Sequence, residues 1–134
     1  MIRNVTTMKI DNSLFYSKQH LWVRKADNNE FFAGITDYAQ DLLGDIVFVE
    51  FPAIGNQLTA DESCGLVESV KTGSDLHAPM NGIVTEVNES LQSNPEQIND
   101  KPYQTWIFKF KSNNPNELEK LLNADEYQKM LATN

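Results

Sequence analysis

The chain has 134 residues, 40% of them hydrophobic, and its 11 Lys and Arg face 19 Asp and Glu, for a formal net charge of -8. That length suits one domain, which buries roughly two thirds of its unfolded surface without disulfide or metal staples. The acidic excess repels polyanions, so binding to nucleic acid and to anionic membranes is disfavoured.

The longest uninterrupted apolar run, Ile46 to Val49, falls far below the roughly 20 residues of a membrane span. Met1 to Asp11 lacks the apolar core of a signal peptide and carries only Arg3 and Lys9 as basic residues, so neither export nor organelle import is supported. A single cysteine fits a reducing cytoplasm, and with only His20 and His77 a zinc site of the usual Cys/His spacing cannot be assembled.

In chain order, Leu21 to Lys25 and Phe31 to Ile35 flank the polar segment Ala26 to Glu30 and read as a β-hairpin. Thr36 is placed to cap a short helix over residues 37 to 43, with Asp37 in its first turn and Gly44 at its end. The β-prone run Ile46 to Phe51 follows and stops at Pro52, before a turn at Gly55-Asn56. Its near-continuous apolar character predicts burial on both faces.

Cys64 to Val70 and Leu76 to Ala78 bracket Lys71-Thr72-Gly73-Ser74 and predict a second hairpin. Ile83 to Val87 reads as a strand, Asn88 to Lys101 as a polar surface segment. Trp106, Phe108 and Phe110 alternate with Ile107, Lys109 and Lys111, as in a half-buried final strand. At the C-terminus, Asn114-Pro115 with Glu117, and Asn123 with Glu126, each predict a capping box opening a short amphipathic helix. A faint internal repeat aligns Gly44 to Val47 with Asn81 to Val84, and Leu58 with Ile98. It is either chance or the trace of two similar β half-units.

Candidate chemistry narrows quickly. Cys64 and His77 could pair as nucleophile and base, but Cys64 sits in an apolar strand where an inert thiol is the default. The glycines at 34, 44, 55, 65, 73 and 82 are scattered singly and form no phosphate loop. The carboxylates are dispersed, as on a solvated acidic surface. What remains is the hairpin Gly65 to Leu76 with Lys71 at its tip, where a lysine ordinarily serves solubility.

The segments Gly34 to Gln40, Leu43 to Glu50, and Val67-Glu68-Ser69-Val70-Lys71, with Asn116-Glu117-Leu118 and Tyr127, occur in the order seen in the H protein family of the glycine cleavage system. From Tyr16 to Leu131 the chain strongly resembles that family. The resemblance implies a mainly β, lipoyl/biotinyl-type sandwich of two small antiparallel sheets with short helices, some C-terminal. It also implies an N-terminal extension over 1–15 and a single lipoyl-bearing domain over 16–134.

By the same resemblance, Lys71 is the site of covalent lipoic acid attachment. Glu68 and Gly55 match positions implicated in recognition by the lipoylating enzyme, a lipoate ligase or an octanoyl/lipoyl transferase. Without the family, Glu68 reads as a surface charge and Gly55 as a turn glycine. Asp75 matches an aspartate that helps hold the loaded arm in a surface cleft. The implied function is non-catalytic carriage of the aminomethyl group of glycine. It runs from a pyridoxal-phosphate glycine decarboxylase to a tetrahydrofolate-dependent aminomethyltransferase, and dihydrolipoamide dehydrogenase then reoxidises the carrier. Biotin carriers share the hairpin lysine but flank it with methionines, whereas Val70 and Thr72 flank Lys71.

Two departures from the family pattern stand out. Leu21 occupies the position of a glutamate that helps hold the loaded arm, and the segment Asp100 to Trp106 is shorter and lacks glycine. They leave two alternatives: an H-like carrier that relays lipoyl groups to other enzymes, and an unmodified β-sandwich adaptor.

Overall fold

The computed structural model describes residues 9–133. The first eight residues of the expected N-terminal extension lie outside the described residues. In chain order the elements are β1 (Phe15–Tyr16), β2 (Leu21–Lys25), β3 (Glu30–Ile35), α1 (Asp37–Leu43), β4 (Ile46–Glu50), β5 (Gln57–Leu58), β6 (Ser63–Ser69), β7 (Gly73–His77) and β8 (Gly82–Val87). They are followed by α2 (Ser90–Ser93), α3 (Gln97–Asp100), β9 (Phe108–Lys111), a 3₁₀ helix (Pro115–Lys120) and α4 (Ala124–Ala132). The strands form two antiparallel sheets, ordered β1-β2-β3-β9-β8-β5 and β4-β6-β7, as the mainly β, two-sheet expectation requires.

Alternation along the strands builds the core between the sheets. Leu21 and Val23 of β2, Phe31, Ala33 and Ile35 of β3, and Phe108 and Phe110 of β9 share one buried cluster with Val67 of β6 and Leu76 of β7. Each such side chain contributes about 1.5–3 kcal/mol when fully buried. The opposite face of the large sheet is also covered. Trp22 joins Tyr16, Tyr127 and Leu131 in a second cluster, where the Tyr16 and Tyr127 rings stack at 4.6 Å. The C-terminal helix α4 therefore docks on the outside of the sheet. It begins with the expected capping box of Asn123 and Glu126.

Several expectations need correction. β4 is not buried on both faces: Val47 and Phe48 are 52% and 50% exposed, because a register irregularity between Ile46 and Phe48 turns them to the surface. The segment 88–101 does more than wrap the surface, since it folds into α2 and α3, which bury Leu91 and Ile98 in the main core. The final strand is regular only from Phe108. Trp106 packs edge-on against Phe32 in the outer cluster, while the consecutive residues Ile107 and Phe108 both enter the main core, which breaks the alternation.

Asn114 makes no side-chain cap, and its segment winds as a 3₁₀ helix behind Pro115. Glu117 instead accepts a hydrogen bond from Asn81 Nδ2 at 3.1 Å. The repeat also fails beyond its first block. β4 and β8 are both strands, one in each sheet, but Leu58 lies in a strand and Ile98 in a helix.

Candidate functional site

The second hairpin turns at Val70, Lys71 and Thr72, and Gly73 and Ser74 already belong to β7. None of the three turn residues adopts the left-handed conformation that usual two-residue hairpin turns need. The Ser69 side chain closes the turn instead. Its Oγ accepts from the Lys71 and Thr72 amides at 3.2 and 3.1 Å, while the Ser69 amide donates to the Thr72 carbonyl at 2.7 Å. This hydroxyl-to-backbone pattern fixes a tight turn without a glycine at its apex. The motif around Lys71 does not by itself single out Ser69; a hydroxyl residue two positions before the tip is the signal that would.

Lys71 is solvent-exposed, and its Nζ donates to the Leu42 carbonyl at the end of α1, 3.1 Å away. The acceptor is a peptide carbonyl, so a single hydrogen bond, typically about 1 kcal/mol net, holds the amine against the surface. The helix end is prepared for it. Thr36 Oγ1 accepts from the Ala39 amide at 3.2 Å at the start of α1, and Gly44 ends the helix at φ +85°. A Cβ on Gly44 would lie 3.3 Å from Lys71 Cε, so glycine supplies both the backbone conformation and the room. Asn99 of α3 clamps this corner: its Nδ2 donates to the Gly44 carbonyl and to Gln40 Oε1, both at 2.9 Å, and its Oδ1 accepts from the Ile46 amide.

Beside the lysine lies a cleft of about 130 Å³. Its walls are apolar, from Ile35, Ala39, Leu42, Leu43, Val67 and Leu76, and its polar groups come from Asp75, Ser74, Gln19 and His20. Leu21 also lines it, at 1% exposure within the main core. Thus Asp75 and Leu21, where the resemblance implies a glutamate, border the same cleft. A larger groove of about 620 Å³, lined by Phe48, Phe51, Ile54 and Leu91 among others, shares no lining residue with it.

His20 enters the cleft wall with a left-handed backbone, φ 69°. Its Nδ1 lies 2.8 Å from Tyr127 Oη, which in turn lies 2.8 Å from Thr36 Oγ1. A consistent run of donors goes from the Ala39 amide to Thr36, from Thr36 to Tyr127, and from Tyr127 to an unprotonated His20 Nδ1. Burial pushes the His20 imidazole below its ordinary value, which keeps it neutral at pH 7. The C-terminal helix is thereby tied to both α1 and the cleft.

The remaining sequence candidates fall outside the cleft. Glu68 is exposed on β6, opposite Phe48 of β4 and Gly73 of β7. Gly55 sits at φ +91° in an exposed turn before β5, with its amide bonded to the Val84 carbonyl. Cys64 is half-buried, and desolvation pushes its thiol up to about 11, as expected of an inert thiol. Among the described residues no group of three His, Cys, Asp or Glu is placed to hold a metal ion, and no helix is long and apolar enough to cross a membrane.

A two-sheet β-sandwich that presents an exposed lysine on a hairpin tip, next to a small cleft, has the form of a carrier protein. The comparisons make this particular. Residues 14–134 match the family model described as glycine cleavage H-protein. The chain is 56% identical over 124 residues to the glycine cleavage system H protein of Methylobacillus flagellatus, covering 92% of this chain and 99% of that protein. It is 50% identical over 124 residues to the H protein of Nitrosospira multiformis, covering 92% and 96%. A crystal structure of a glycine cleavage system H protein from Mycobacterium marinum superposes with a TM-score of 0.83 at 36% identity, over 92% of this chain and 99% of that one. The chain belongs to the glycine cleavage H-protein family, whose members are carrier components rather than enzymes.

Proposed function

We propose that Lys71 bears lipoic acid in amide linkage and that the chain carries the aminomethyl group of glycine from glycine decarboxylase to the aminomethyltransferase. Dihydrolipoamide dehydrogenase then reoxidises it in the cytoplasm. When attached, the lipoyl group supplies a redox-active disulfide able to accept that one-carbon unit.

The observation that carries this reading is an accessible amine on a rigid turn, one hydrogen bond from the surface and adjacent to a cleft with apolar walls and a carboxylate. The residues fit such an arm. The apolar walls suit a dithiolane, Asp75 suits a cationic terminus, and the Nζ of an acylated Lys71 retains one N–H able to reach the Leu42 carbonyl. Tethering raises the effective concentration of the carried group at successive enzymes. Glu68 and Gly55 are assigned to recognition by a lipoate ligase or an octanoyl/lipoyl transferase. Residues 16–134 are assigned to the lipoyl-bearing domain and 1–15 to a leading extension.

The test is intact-mass and peptide analysis of the chain incubated with lipoate, ATP and a lipoate ligase, followed by reconstitution with the three partner enzymes. A lipoyl adduct on Lys71, absent from Lys71→Arg, and glycine-dependent NADH formation support the assignment. A wholly unmodified Lys71 under these conditions supports an adaptor instead. Because Leu21 replaces a carboxylate at the cleft, a relay of lipoyl groups to other enzymes is the second reading. Full lipoylation without glycine-dependent turnover would favour it.

A further inference from the structure

We propose that the groove lined by Phe48, Phe51, Ile54 and Leu91 is where the enzyme that acylates Lys71 docks, through an apolar anchor flanked by lysine or arginine. The inference rests on the proposed function and deepens it, by naming the surface that the attaching enzyme grips.

The groove leaves apolar surface uncovered. Phe48 and Ile54 are 50% and 61% exposed along it, beside the buried Pro52 and Leu91. Large apolar side chains left together in water are uncommon on a monomer and mark interaction surfaces. Their placement is set by the backbone. The register irregularity in β4 turns Phe48 outward, and the turn that carries Ile54 is pinned to β8. There the Gly55 amide donates to the Val84 carbonyl at 2.8 Å, and the Val84 amide donates to the Asn56 carbonyl at 3.0 Å. A Cβ on Gly55 would meet nothing within 4 Å, so the glycine serves the backbone at φ +91° rather than a close approach. Gly55 thus acts on a partner through the position of Ile54.

Charge selects the kind of partner. Between Lys25 and Lys101 the only Lys or Arg is Lys71, and that stretch holds 14 of the chain's 19 Asp and Glu. Every residue lining the groove belongs to it, with Glu50 in the wall, Glu68 across from Phe48, and the exposed Glu89 two positions before Leu91. Such a rim repels a second copy of this acidic chain and favours a basic partner.

Position selects among basic partners. Phe48 stands opposite Glu68, three residues from Lys71, a span of about 10 Å along the strand. A standard interface covers about 800 Å² per partner, a patch roughly 30 Å across, so a protein centred on Lys71 Nζ reaches the groove. Enzymes that act on the sulfur atoms work at the far end of the arm, whereas the attaching enzyme must close over its root. In that step Lys71 Nζ gives up two protons to solvent and forms an amide bond with the carbonyl carbon of lipoyl adenylate. The carbon–oxygen bond to AMP breaks, and AMP leaves with the electron pair.

The test uses the full chain with lipoate ligase, lipoate and ATP, and measures initial lipoylation rates against carrier concentration. Phe48→Ala and Ile54→Ala together are expected to raise KM for the carrier about tenfold with little change in kcat, as loss of two apolar anchors implies. Ile83→Ala, which trims an exposed apolar side chain on β8 outside the groove, is expected to leave both constants unchanged. Glu50→Lys is expected to raise KM and to weaken its dependence on salt. An unchanged KM in the double variant, or an equal rise in Ile83→Ala, overturns the inference while leaving lipoyl carriage standing. So does a wild-type chain that sediments as a dimer while the double variant sediments as a monomer, since the groove then joins two copies. Chains lipoylated to the same extent are also assayed with the three partner enzymes. Lost glycine-dependent turnover in the double variant, with its lipoylation KM unchanged, assigns the groove to one of those enzymes and overturns the inference. A wild-type chain that takes up no lipoyl group overturns the proposed function and this inference with it.

Discussion

The Lys71 amine and the Leu42 carbonyl, 29 positions apart in sequence, meet at 3.1 Å and join the hairpin tip to the end of α1. The hairpin supplies the amine and the helix supplies its resting place. The proposed arm site is therefore a junction between two elements.

Gly44 is the narrowest point of this junction. Gly44→Ala forces a Cβ onto a backbone at φ +85° and 3.3 Å from Lys71 Cε. At ψ −158° this backbone is one that essentially only glycine adopts, and the strain is expected to cost about 1–3 kcal/mol. Thermal unfolding measures the strain, and displacement of the lysine is read from a slower initial rate of lipoylation than in the wild-type chain.

Ser69 closes the tip. Ser69→Ala leaves the Lys71 and Thr72 amides without their side-chain acceptor and is expected to lower stability by roughly 1 kcal/mol. Amide hydrogen exchange at residues 71 and 72 should accelerate while exchange in β2 and β3 stays slow. Unchanged protection at the tip would show that the hydroxyl does not hold it.

His20 gives stability a dependence on pH. Its folded value lies below the ordinary imidazole value of 6.5, because burial disfavours the charged ring. The unfolded chain thus binds the proton more readily. This contribution is fully present above pH 6.5 and is lost as pH falls through the lower folded value. His20→Asn, a residue that tolerates φ 69°, should flatten the loss of stability between pH 6.5 and 5 relative to wild type. Urea midpoints across that range provide the measurement.

Placing at position 21 the carboxylate that the resemblance implies is not a simple gain. Leu21 is 1% exposed among core side chains, so Leu21→Glu replaces packed apolar surface with a desolvated acid. The expected cost is about 2–4 kcal/mol, with the new carboxyl pushed above its usual range. Chemical denaturation at pH 7 and pH 5 tests both parts: the destabilisation should be smaller at pH 5, where the acid is more readily neutral.

Much of this protein was legible in order along the chain, because the deciding interactions are local. Thr36 and Gly44 announced α1, Asn123 and Glu126 announced α4, and the Val67 to Lys71 motif placed the hairpin. Where neighbouring elements supplied the partner, the linear reading went astray. Phe48 looked buried until a register irregularity turned it outward, and residues 88–101 looked like surface until Leu91 and Ile98 entered the core. Asn114 had the cap's spacing but not its geometry.

The sequence by itself determined most of the strands and the helices α1 and α4, and its motifs singled out Lys71 and Leu21, since each depends on residue type and short spacing. Only the tertiary structure decided what surrounds that lysine. The Leu42 carbonyl, the Asn99 clamp, the Tyr127 link to His20 and Asp75 at the cleft wall come from segments far apart in the chain. Packing of the two sheets brings them to one corner, and no local pattern encodes which distant groups will meet there.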